Sequence, residues 1–148
     1  MKTKLAALAI PVALGAAAVS ISLAAPSGDQ RAIERGRYLV TVAGCNDCHT
    51  AGYMQQGGKV PEAEWLAGVP VGFQGPWGTT YPANLRLLMQ SLSEEEWLKK
   101  ARSPMRPPMP WFNLAHMTDD DLRAMHRFVR SLGAKGEPAP AYVAPACD

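Results

Sequence analysis

The sequence predicts a small all-α domain folded around a body that the chain itself does not supply. Three observations carry this. Two segments, SEEEWLKKAR and TDDDLRAMHRFVRSLG, read as helices that open on capping residues. No run alternates convincingly as a strand beyond a short piece near Gly78–Tyr81. The loops GVPVGFQGPWGTTYPANL and SPMRPPMPWFNLAHM are too punctuated by Gly and Pro for long regular structure, yet Trp77, Tyr81, Trp111 and Phe112 in them need something to pack on.

The elements follow in order. Lys2 and Lys4 precede a run without charge from Leu5 to Ala25, the pattern of a secretory signal with a cut after Ala24. Retention of 1–24 as a membrane anchor is the other reading, and both carry the rest of the chain across a membrane. The domain is expected at 29–133. Its first helix, about Gln30 to Val42, would be capped by Asp29 and would bury Ile33, Gly36, Leu39 and Val40. Gly36 in mid-helix costs about 1 kcal/mol against alanine, which close packing would explain. In the second helix Ser93 and Glu96 form a capping box, with acids in the first turn and bases in the last. In the third, Thr118 and Asp121 make the same box, Leu122, Met125, Val129 and Leu132 form an apolar stripe, and Gly133 ends it. Residues 134–148, AKGEPAPAYVAPACD, read as an Ala/Pro-rich flexible tail.

The chain has 15 basic and 13 acidic residues, and loss of Lys2 and Lys4 leaves 13 of each. A near-neutral protein has no basic footprint for nucleic acid. Of three cysteines, two lie in Cys45-Asn46-Asp47-Cys48-His49. A thioredoxin-like centre would need a preceding strand and a βαβ frame, and zinc would need a fourth ligand at paired spacing. Neither context is present. Cys-x-x-Cys-His is the attachment signature of c-type haem, and its i, i+3 and i+4 positions share one helical face. Cys45 and Cys48 would then carry the thioether bonds and His49 would bind iron through Nε2, its other ring nitrogen donating to a backbone carbonyl. A single copy of the signature implies one haem c per chain.

An electron carrier wants a second axial ligand, and methionine raises the potential. Met125 reads as core, Met89 lies in an apolar run, and Met54 follows the motif too closely to reach the opposite haem face. Met109 is favoured, because Pro107, Pro108 and Pro110 stiffen the loop that presents it. Met117, Met105 and His116 remain the alternatives, and His116 and His126 otherwise read as surface histidines.

Across most of residues 31–133 the chain resembles class I c-type cytochromes, in particular the single-haem modules of bacterial periplasmic alcohol and sugar-acid dehydrogenase cytochrome subunits. RGRYLVTVAGCNDCHT is similar to the family's first helix and haem motif, GPWGTTYPANL to the loop flanking the haem propionates, and PPMPWFNLAHMTDDDLRAMHRFVRSL to the methionine loop and last helix. The resemblance implies that Met109 is the axial ligand and that first and last helices cross, with Gly36 and Tyr38 on the Phe128/Val129 face. It implies a periplasmic electron carrier, not an enzyme, serving a dehydrogenase or terminal oxidase, and touching the membrane only if the N-terminal segment is retained. The chain departs from the family in carrying a single module and an extra Cys147. The rival from another class is a haem enzyme or gas sensor with an open or displaceable sixth iron position.

Overall fold

The computed structural model describes residues 27–146. Segment 1–24 and Cys147 lie outside the described residues. Six helices and one small hairpin make the domain. Helix α1 (Gly28–Val42) begins at Ser27, whose hydroxyl accepts the Gln30 N–H. The cap is therefore Ser27 rather than Asp29, which joins the first turn and meets the helix's positive end. Gly44, at φ +70°, turns the chain into the short α2 (Cys45–His49). After a 3₁₀ turn at Glu62–Glu64, strands β1 (Phe73–Gly75) and β2 (Gly78–Thr80) pair antiparallel across Pro76-Trp77. Helices α3 (Leu85–Ser91), α4 (Glu94–Ala101), α5 (Trp111–Ala115) and α6 (Asp119–Ser131) complete the domain.

Helix α1 packs across α6. A Cβ on Gly36 would lie 2.0 Å from the Ala124 carbonyl oxygen, so only glycine permits this approach. Tyr38 is not buried in the crossing as Gly36 is. It is 56% exposed, and its ring lies under the Arg35 guanidinium at 5.4 Å. Behind the crossing, Tyr53, Trp65 and Phe128 meet edge to face with centroids 5.9 and 6.4 Å apart.

The α4 capping box forms as expected between Ser93 and Glu96. At α6 only half of it forms: Thr118 accepts the Asp121 N–H, while the Asp121 carboxylate turns to Arg35 at 2.9 Å. Leu122, Met125, Phe128 and Val129 are buried on α6, and Gly133 ends it at φ +73°. His126 is not a surface residue: it is 2% exposed, its Nε2 donating to the Leu92 carbonyl at 2.8 Å.

The stretch from 134 to 146 is extended, as its prolines require, but it is not a free tail. The Asn84 amide donates to the carbonyls of Lys135 (2.7 Å) and Glu137 (3.1 Å), and Val143 exchanges two backbone hydrogen bonds with Thr79. Buried Arg86 donates to the carbonyls of Ala63 (2.8 Å), Gly133 (2.6 Å) and Leu132, closing the end of α6. Among the described residues no helix is long and apolar enough to cross a membrane.

Of the ion pairs that tie helices to α6, two set a pH dependence. A hydrogen bond from Arg35 holds Asp121 below the usual carboxylate range, and one from Arg127 (2.7 Å) does the same for Glu94. A depressed native pKa gives stability that is fully present above the unfolded value, about 4, and is lost as pH falls through the native value. Melting temperature should therefore be flat from neutrality to about pH 5 and drop below about pH 4. The combined Arg35→Gln and Arg127→Gln variant should flatten that drop. Both pairs are partly solvated, so the effect is small.

Candidate haem site

The residues that line one apolar cleft come from six places in the chain. Cys48 and His49 come from α2, Phe73 and Thr80 to Ala83 from the hairpin and its exit, Leu85 and Leu88 from α3, Trp97 and Lys100 from α4, Met105 with Pro108, Met109 and Pro110 from the proline loop, and Leu114 from α5. The cavity has a volume of about 260 Å³.

The chain is folded locally to present His49. Asn46 is fully buried and its side-chain oxygen accepts from Thr50 Oγ1 at 2.7 Å; Thr50 Oγ1 in turn accepts the Leu66 N–H at 2.8 Å. The Gly68 N–H donates to the His49 carbonyl at 2.9 Å. These bonds fasten the motif to the segment beneath it. His49 Nδ1 lies 2.7 Å from the Ala83 carbonyl. A carbonyl only accepts, so Nδ1 carries the proton and Nε2 keeps a free lone pair, the arrangement an iron ligand needs. Burial lowers the His49 pKa and so favours the neutral ring, an effect partly offset by that bond.

Burial pushes the Cys45 thiol up to about 11, and burial with the Asp47 charge raises Cys48. The two cysteines form no disulfide with each other. Cys48 lines the cleft, whereas Cys45 is packed against the core beside it.

Of the sulfur candidates, Met109 and Met105 line the cleft with His49. Met125 and Met89 are core, and Met54 is 61% exposed. Met117 packs on the core but does not line the cleft, and His116 is exposed, its Nδ1 bonded to the Phe112 carbonyl. Among the described residues no group of three His, Cys, Asp or Glu side chains is arranged to hold a metal ion.

Several participants escaped sequence reasoning. Thr80 donates to the Pro107 carbonyl at 2.6 Å and so ties the hairpin to the proline loop. Trp97 is fixed in the cleft wall by its N–H to the Leu122 carbonyl at 2.8 Å. The Ala83 carbonyl had no signature at all, because a backbone acceptor can belong to any residue. Lys100 reads from the sequence only as the basic end of α4.

The cytochrome c family model matches residues 33–133. The chain is 31% identical over 131 residues to the cytochrome c subunit of the quinone alcohol dehydrogenase of Gluconobacter oxydans (strain 621H), a match covering 80% of this chain and 25% of that protein. It thus spans a quarter of that relative's length. No solved structure gives a match. The helical architecture, the Cys-x-x-Cys-His turn and these comparisons agree: the chain belongs to the cytochrome c family, as an all-α, electron-transferring c-type cytochrome with covalently bound haem.

Proposed function

We propose that the chain is a periplasmic cytochrome carrying one haem, which passes single electrons and catalyses no substrate chemistry of its own. The observation that carries this reading is that His49 and Met109 line the same apolar cleft. The donor set suits haem iron, since a neutral imidazole and a thioether are its familiar axial ligands in electron carriers. The walls suit the porphyrin, being made largely of Pro, Leu, Trp, Phe and Tyr side chains.

In this reading Cys45 and Cys48 would hold the haem through thioethers, and His49 and Met109 would ligate its iron. The bound haem supplies an iron that takes up and returns one electron. The chain's own work is to keep that change cheap. The Ala83 carbonyl fixes the imidazole plane, the three prolines fix the methionine loop, and the apolar walls exclude water. With both axial positions filled, no iron site is left for substrate.

The relative is named as a subunit of a quinone alcohol dehydrogenase. The proposed partner is accordingly a periplasmic dehydrogenase, on which this chain docks as a carrier or small subunit near Cys48, through a small and transient contact.

The first test is the visible spectrum of the purified oxidised protein. The reading predicts the weak long-wavelength band of sulfur-to-iron(III) charge transfer. Haem without that band would overturn methionine ligation and point to the enzyme or sensor with an open iron position.

A further inference from the structure

The segment after Gly133 makes contacts that the proposed electron carrier does not by itself explain. Asn84, next to the carbonyl that orients His49, holds it at Lys135 and Glu137. The segment then crosses the outer side of the hairpin. There Val143 pairs with Thr79, and Gly78, at φ +93°, leaves no room for a side chain: a Cβ would fall 2.2 Å from the Val143 carbonyl oxygen. Tyr142 donates its hydroxyl proton to the Trp77 carbonyl at 2.7 Å, and its ring lies 4.1 Å from the Arg106 guanidinium.

Arg106 is the hinge of the matter. Its carbonyl accepts the Met109 N–H at 3.2 Å, so the residue whose side chain sits on Tyr142 also opens the turn that carries Met109. Thr80, on the inner side of the same hairpin, grips the next carbonyl, that of Pro107. The methionine loop is therefore pinned to the hairpin from two sides, and the outer pin belongs to the C-terminal segment.

We propose that residues 135–143 form a strap that holds the methionine loop closed, with Tyr142 as a positioning residue for Met109. This rests on Met109 being the sixth ligand. The strap acts on the population of loop-open molecules: an external ligand binds iron only in those, so its apparent affinity rises with their fraction.

The test is imidazole titration of the oxidised holoprotein, followed by the long-wavelength band. Tyr142→Ala removes an exposed cation–π contact and a hydrogen bond, and should raise the apparent imidazole affinity about three- to tenfold. Tyr142→Phe keeps the ring over Arg106 and should move it less. Arg106→Gln should reproduce the effect from the loop side, and combining it with Tyr142→Ala should add little, because both remove the same contact. Unchanged affinity in Tyr142→Ala and Arg106→Gln, alongside a Met109→Ala protein that has lost the band, overturns the strap alone. A Met109→Ala protein that retains the band overturns the ligand reading on which the strap rests.

Discussion

Met109→Ala should yield a protein that still carries its haem covalently but has lost the sulfur band, has a lower reduction potential, and binds small ligands readily. The thioether bonds are proposed at Cys45 and Cys48, which belong to α2 and not to the proline loop, so attachment is indifferent to the change. Methionine ligation favours the reduced iron, and its removal should lower the potential by on the order of 100 mV, within the roughly 0.8 V that axial ligation spans. The control is Met105→Ala. Met105 lines the same cleft but is followed directly by Arg106, with a neighbouring proline only at Pro104, and it should keep the band. Spectra and a redox titration of the two variants decide between them. If Met105→Ala loses the band and Met109→Ala keeps it, the ligand has been misassigned by one turn of the loop.

Gly36→Ala should be the most damaging single-methyl change in the domain. Alanine gains about 1 kcal/mol of helix propensity over glycine. The new Cβ, however, would stand 2.0 Å from the Ala124 oxygen, 2.5 Å from its carbonyl carbon and 2.8 Å from Phe128 Cβ. Two of those atoms are backbone of α6 and cannot rotate away, so the two helices must separate along their whole contact. Overpacking of this kind costs 1–3 kcal/mol, and the rigid neighbour places it at the upper end or beyond. A net loss of about 3 kcal/mol would lower the melting temperature of a domain this size by roughly 10–15 °C. Thermal unfolding followed by circular dichroism reads this directly. An unchanged or higher melting temperature would mean that the helices have slack the geometry denies.

What was legible in the sequence was whatever is encoded locally. The caps of α4 and α6 lie within three residues of the turns they start, and the stripe on α6 repeats at helical spacing. The five-residue turn around His49 announces its chemistry because Cys45, Cys48 and His49, at i, i+3 and i+4, sit on one helical face. Gly36 was legible as an exception needing a reason, although its partner Ala124 was not. Helices α3 and α5 were missed for a physical cause. Each is at most seven residues long, and α3 buries Arg86, so neither displays a clean apolar period. The docking of 134–146 was illegible because it depends on backbone carbonyls, on the space above Gly78, and on residues fifty or more positions away. His126 was misplaced because the Leu92 carbonyl that satisfies it leaves no mark on the sequence.

The crossing of α1 over α6 also governs timing. Helix α1 leads directly into the cysteine pair, yet its partner begins only at Asp119, and the ion pair that joins them spans 86 residues. Contacts of such separation carry a large loop-closure cost, so the crossing weighs on the rate at which the domain folds. Without that crossing the face of α1 that bears Gly36 has no partner, and the core against which Cys45 packs is incomplete. Joining a bulky planar group to the two thiols is therefore expected to be easiest in chains whose α1–α6 crossing has not yet formed.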